Sequence, residues 1–410
     1  MKKFFALLLS LAMVLALVAC GQKDPTPDTP DTPDDPQTKV EYKVAMITDY
    51  GDITDQSFNQ TTYEACKAFA EDNSIEFSYF KPAGDNTADR VAMIEKAVDE
   101  GFNVIVMPGY AFGGAIVEAA PEFPDVKFIA LDVAAGDLLE TAVAKAGEAY
   151  DYTPENWDLN KYVDMSNVYC AVYQEELCGY MAGYAAVKLG YKNLGFLGGM
   201  SVPAVVRYGY GFVQGVDAAA ADLGLTDVKL NYIYGGQFFG DADITAVMDT
   251  WYQGGTEVVF ACGGGIYTSA VDAAKKANAK VIGVDVDQAG VIAKYAGVDG
   301  MTVTSAMKGL YPATYDTLTD VIVNGNWDKY VGKIATLGLV SGTDPEANYV
   351  QIPMGDGTQW SDSFTQDDYK AMVADMFDGK ITVSNNTSSD VSAADFATVI
   401  TVDDQGSIKG

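Results

Sequence analysis

The chain of 410 residues contains no histidine. That absence removes the usual general base, the commonest metal ligand and any Ser-His-Asp arrangement. Cysteine is scarce as well: Cys20, Cys66, Cys170, Cys178 and Cys262, with no CxxC spacing among them. A zinc site is therefore not expected. Cys66, Cys170 and Cys262 lie in apolar text and read as buried free thiols or, outside the cytoplasm, as disulfide partners. Basic residues are few, 26 Lys and Arg against 57 Asp and Glu, for a formal net charge of −31. Such a surface repels nucleic-acid phosphates and anionic lipid, so no nucleic-acid polymer is expected as a partner. The pattern GxxxxGK[ST] does not occur, so the chain is not expected to hydrolyse ATP. After residues 4–19 no apolar run of 18 or more follows, and no second spanning segment is expected.

What is present begins with Met1-Lys2-Lys3 and the apolar stretch 4–19, ending Leu17-Val18-Ala19-Cys20. A basic start, an apolar centre and small residues before a cut site make a secretory signal over 1–19. The end looks like a bacterial lipobox, in which the cysteine takes a diacylglyceryl group and becomes the first residue of the mature protein. An ordinary cleaved signal with a chance cysteine is the alternative. Two acyl chains make a stable anchor where one is marginal. Residues 20–40 follow with the repeating text Asp24-Pro25-Thr26-Pro27-Asp28-Thr29-Pro30. Proline keeps such a stretch extended and it has no apolar periodicity to bury, so it reads as a tether outside the fold.

From residue 41 the text alternates. Apolar strand-like runs at 43–48, 103–108, 127–131 and 167–172 form one series, and those at 193–197, 229–234, 257–261 and 280–284 form a second, with helical spacing between them. Strands alternating with helices predict an α/β fold with parallel sheets and right-handed crossovers. The length suits two lobes: a first over 41–172 with a returning segment at 301–329, and a second over 173–300 with a returning segment at 330–360. Residues 141–162 read as a surface insertion, and 361–410 have no clear place. Most strands end in a short polar or glycine-rich loop, the position at which open α/β sheets bind ligands. Loops from two facing sheets predict one cleft between the lobes.

The opening ITDYGDITDQSFNQ at 47–60 resembles that of the basic membrane protein family, lipoproteins that serve as nucleoside-binding components of ABC importers. GFLGGM at 195–200 with Val202-Pro203 and Arg207 is similar, as are YQGGTEVVF at 252–260 with Gly263-Gly264-Gly265, IGVDVDQ at 282–288 and TSAMK at 304–308. The resemblance runs in order from about residue 43 to about 323 and departs at 141–162 and after about 355. It implies a two-lobe fold like that of type I periplasmic binding proteins, with the ligand cleft between the lobes.

The resemblance also implies the site. Asp49 would accept hydrogen bonds from the ligand, against its reading as a turn residue. Phe58 and Phe238 would clamp a base, one from each lobe, with Phe239 as the competitor. Asn59 would contact the ligand or else cap a helix. Asp132 would read the base edge. Asp285, with Asp287 close by, would hold a ribose diol. Lys308 would donate to ribose oxygens or pair with Asp285, and Gly264 would present a backbone N–H. A calcium loop at 285–296 fails because Ala296 stands where the glutamate belongs.

The expected function is thus a monomeric, membrane-anchored extracytoplasmic receptor, not an enzyme and without cofactor or metal, that captures a nucleoside and delivers it to a separate ABC permease. A sugar receptor of the same fold is the alternative. An exported nucleoside hydrolase, suggested by the clustered Asp49, Asp52 and Asp55, is a third reading that the lack of histidine argues against.

Overall fold

A computed structural model describes residues 41–409. The signal segment, Cys20 and the tether lie outside the described residues.

Runs such as VIVMP and VVFAC have no polar position, and a strand without a polar face must be covered on both sides. Both are buried at every residue. The first sheet takes β1 (Lys43–Ile47), β2 (Glu76–Phe80), β3 (Val104–Pro108), β4 (Lys127–Leu131) and β5 (Val168–Tyr173). The second takes β6 (Asn193–Gly198), β7 (Lys229–Tyr234), β8 (Val258–Cys262), β9 (Lys280–Asp285) and β10 (Thr302–Lys308). Three more strands come later in the chain: β11 (Lys333–Leu337), β12 (Val350–Gln351) and β13 (Thr401–Ser407). The sheet orders are β11-β5-β4-β3-β1-β2 and β12-β10-β9-β8-β6-β7-β13. Pairing is parallel throughout except between β10 and β12. The α/β architecture with parallel sheets flanked by helices is as the alternating text predicted.

Three expectations are corrected. The strand inside 301–329 belongs to the second sheet, where β10 pairs with β9, although the helix after it, Leu310–Leu318, packs on the first-lobe helix Phe58–Asn73. The strand inside 330–360 joins the first sheet, where β11 pairs with β5. A strand's own composition does not say which of two parallel sheets receives it. Within 141–162, residues up to Lys145 end the helix Ala135–Lys145, and only the remainder is loop with short helical turns. The C-terminal stretch is placed too: the helix Gln366–Phe377 lies on the second lobe's core, and β13 extends the second sheet beside β7.

Cys66, Cys170, Cys178 and Cys262 are all free and buried, which settles the alternatives in favour of thiols. Among the described residues no helix is long and apolar enough to cross a membrane. The helices Glu175–Lys188 and Pro203–Leu223 cross in backbone contact. A Cβ at Gly211 would lie 2.1 Å from the carbonyl oxygen of Glu176, and one at Gly179 would lie 2.3 Å from that of Tyr208. This close approach sets Glu175 beside Arg207, which matters for the cleft.

Candidate functional site

The carboxyl ends of the two sheets face one cavity of about 740 Å³, open solvent at its mouth included. Asp49, Phe58, Asn59, Asp132, Phe238, Gly264, Asp285 and Lys308 all line it.

Two of these stand on unusual backbone. Asp132 follows β4 with φ 60°, and Asp285 ends β9 with φ 66°. This is the left-handed region, which aspartate tolerates better than most residues but which still costs about 1–3 kcal/mol. The turn swings each carboxylate off its strand end into the cleft, and each meets the opposite lobe. Lys308 Nζ donates to Asp132 Oδ2 at 2.5 Å. Ser57 Oγ donates to Asp285 Oδ2 at 2.5 Å, and Tyr208 donates to Asp285 Oδ1 at 3.4 Å.

Lys308 is at the centre of the charge. Its ammonium also reaches Glu175 at 3.4 Å and Asp285 at 3.9 Å, and Glu175 is held in turn by Arg207 at 2.7 Å. Burial works to pull the Lys308 pKa down, but the carboxylates of Asp132, Glu175 and Asp285 outweigh it, and the ammonium is held above its ordinary range. Burial pushes the Asp132 carboxyl up, against the pull of Lys308. Sequence reasoning paired Lys308 with Asp285; the nearer partner is Asp132.

Asp49 is a turn residue that also borders the cavity. Its Oδ1 accepts the backbone N–H groups of Tyr50 and Gly51, both at 2.6 Å. Burial raises its pKa, opposed by those same N–H groups. Asn59 is not a cap: Ser57 holds that position, and the Asn59 amide donates to Asp49 and Asp55, at 3.2 Å each. Asn59 Oδ1 and Asp132 Oδ1 are buried without a hydrogen-bond partner in the protein. An unpaired buried acceptor costs about 1–3 kcal/mol unless a ligand donor meets it.

The aromatic arrangement differs from a simple two-ring clamp. The Phe58 ring lies under the Lys308 ammonium, 4.7 Å from its centroid. The ring beside Phe238 is Tyr50, with centroids 6.3 Å apart and planes 33° apart. Phe238 packs against backbone: a Cβ at Gly199 would lie 2.4 Å from its ring, and one at Gly263 2.7 Å. Gly263 has φ 148°, which glycine adopts freely. The competitor Phe239 is 60% exposed, and Asp287 is exposed and accepts the Ala289 N–H.

Sequence reasoning missed Tyr50, Ser57, Glu175 and Tyr208 as partners in the cleft, and gave Arg207 no task. Tyr50 and Ser57 stood inside the opening motif, which was a usable signal. Glu175 sits at the crossing from β5 into the second lobe and carried none. The arrangement presents hydrogen-bond acceptors and flat apolar faces to whatever enters, while its cations are already paired with carboxylates.

Comparison with known proteins points the same way. A family model described as "ABC transporter substrate-binding protein PnrA-like" matches residues 42–343. The chain is 25% identical, over 389 residues, to a protein of Lactococcus lactis subsp. cremoris named ABC transporter nucleoside-binding protein BmpA, covering 92% of this chain and 96% of that one. It is 28% identical to the CD4+ T-cell-stimulating antigen of Listeria monocytogenes, over 78% of this chain and 84% of the relative. The crystal structure of an ABC transporter solute-binding protein from Aeropyrum pernix K1 superposes with a TM-score of 0.63 at 19% identity, covering 85% of this chain and 95% of the other, a likeness of fold.

Proposed function

The chain belongs to the PnrA-like (Bmp) family of ABC transporter substrate-binding proteins, and from that premise we propose that its ligand is a nucleoside, with purine nucleosides favoured. The observation that carries this reading is the pairing, in one cavity, of aromatic faces with buried acceptors. Phe58, Phe238 and Tyr50 offer surfaces on which a base stacks, worth about 1–3 kcal/mol per base. Asp132 Oδ1 and Asn59 Oδ1 await donors, which base N–H groups and ribose hydroxyls supply. Asp285 and Lys308 would take the sugar, and Gly264 would approach it with its backbone. The name of the Lactococcus relative supports the same ligand class.

In this reading the ligand bridges the lobes and favours the closed form, which docks on a separate permease. Cys20 anchors the protein by lipid on the extracytoplasmic face, and 20–40 spaces the body from the membrane. The protein captures and releases its ligand without turning it over.

The test is a calorimetric titration of residues 41–410, unfolded and refolded beforehand, with inosine, guanosine, adenosine, cytidine and ribose. Tight one-to-one binding of a nucleoside with ribose silent supports the proposal. Binding of ribose alone moves the protein to sugar uptake, and release of free base from inosine makes it an enzyme.

A further inference from the structure

Phe238 hangs on the loop 235–241, and that loop is held from outside the region the family model covers, which ends at residue 343. Residues 391–409 form a strap over the second lobe. Asp217, buried on the helix Pro203–Leu223, accepts the N–H groups of Thr398, Val399 and Ile400 and the Thr398 hydroxyl. Tyr210 donates to the carbonyl of Val391 at 2.9 Å. β13 then runs parallel along β7, and the Ile408 N–H donates to the carbonyl of Tyr234 at 2.8 Å.

The strap ends over the Phe238 loop. Lys409 Nζ donates to Gln237 Oε1 at 2.9 Å and forms an ion pair with Asp241. Gln237 closes the loop on itself, donating to the Phe239 carbonyl and to Asp241, each at 2.9 Å. The Lys409 carbonyl lies directly on Gly236, where a Cβ would be 2.6 Å away. On the other side, the Gly265 N–H donates to the Phe238 carbonyl at 2.9 Å. The loop that carries the ring is therefore gripped by Lys409 on one flank and by the glycine run 263–265 on the other.

We propose that Lys409 is a positioning residue for ligand capture: through Gln237 and Asp241 it holds the 235–241 loop so that the Phe238 ring is set against Gly199 and Gly263 before the ligand arrives. Preorganisation of this kind raises affinity by sparing the ordering of the loop on binding. The affinity arm rests on the nucleoside reading above; a second arm does not.

The experiment compares full-length wild type with Lys409→Ala, Lys409→Arg, Gln237→Ala and, as a control, Lys380→Ala, which removes an exposed ion pair of the same C-terminal region. Inosine and guanosine are the titrants. Lys409→Ala and Gln237→Ala are expected to weaken binding about fivefold, as loss of a partly exposed ion pair and its hydrogen bond does, with Lys409→Arg restoring it and Lys380→Ala unchanged. Hydrogen exchange without titrant is measured in parallel. The Gly265 amide should exchange faster in Lys409→Ala and return to wild-type rates in Lys409→Arg, while amides of β3 stay unchanged. Unchanged affinity together with unchanged exchange at Gly265 overturns the proposal, as does a loss shared equally by Lys380→Ala. If wild type binds neither titrant, the nucleoside reading fails and the exchange arm alone decides: unchanged exchange at Gly265 overturns the positioning role.

Discussion

The two sheets repeat one plan. Read from β5 to β2 the first is β5-β4-β3-β1-β2, and from β10 to β7 the second is β10-β9-β8-β6-β7, the same order shifted by five. The details repeat as well. After the third strand of each stands a glycine at positive φ, Gly109 at 125° and Gly263 at 148°; at the end of the fourth stands an aspartate, Asp132 at 60° and Asp285 at 66°. What differs is what the shared positions serve. In the first lobe Gly109 closes on Asp49, where a Cβ would lie 3.0 Å from Oδ2; in the second Gly263 closes on the Phe238 ring. The common scaffold decides where the cleft is, and the loops decide that the glycine of one lobe backs a carboxylate and that of the other an aromatic ring.

The comparison can be broken most severely at the pair that joins the lobes. Lys308→Met leaves Asp132 and Asp285 buried without their cation, while Arg207 still holds Glu175. We expect a stability loss of about 3–5 kcal/mol in urea unfolding, because a buried charge that loses its partner is strongly destabilising. A midpoint equal to wild type would show that the cross-lobe charges are not coupled.

The two backing glycines come next. Gly199→Ala displaces the Phe238 ring and should weaken nucleoside binding about tenfold, the lower part of the range for lost base stacking. Gly109→Ala crowds Asp49 instead and strains a positive φ, so it should lower stability as well as affinity. Equal effects of the two on unfolding would erase the distinction between the two glycines.

Each lobe also holds one carboxyl that burial pushes up to about 7: Asp137 at the start of a first-lobe helix and Glu176 at the start of a second-lobe one. Both folded values lie above the ordinary carboxylate range. The stability each gains by holding its proton is complete below about pH 4 and is lost as pH rises through about 7. The urea midpoint of wild type should therefore fall between pH 5 and pH 8. Glu176→Gln, whose Oε2 has no partner, should flatten that fall by about 1–2 kcal/mol at pH 8. A wild-type midpoint that does not move would contradict both shifts.

The smallest effects sharpen residue choice. Phe239→Ala and Asp287→Ala should change nucleoside affinity by no more than about twofold, as exposed substitutions away from a site do. A tenfold loss at Phe239 would make it the stacking ring in place of Phe238, and one at Asp287 would make it the sugar contact in place of Asp285.

Much of this was legible before folding. The strands 127–131 and 280–285 fall on the apolar runs, and the aspartates at their ends, Asp132 and Asp285, fall in the cleft. β2, with the text EFSYF, was missed because an edge strand with exposed positions shows no continuous apolar run. β13, TVDDQGS, was missed for the same reason in stronger form. The exchange of β10 and β11 between sheets was missed because KIATL and TVTSAMK suit either sheet equally.

The sequence by itself determined the α/β class, the presence of two sheets and the strand-end positions of Asp49, Asp132, Asp285 and Lys308, because strand burial and loop composition are local properties of the text. Only the tertiary structure decided that Lys308 pairs with Asp132, that Glu175 and Arg207 stand behind it, that Tyr50 lies beside Phe238, and that residue 409 reaches the loop that carries that ring. Those contacts join positions as far apart as Tyr50 and Phe238, and their geometry is set by the packing of whole lobes, which no local pattern encodes.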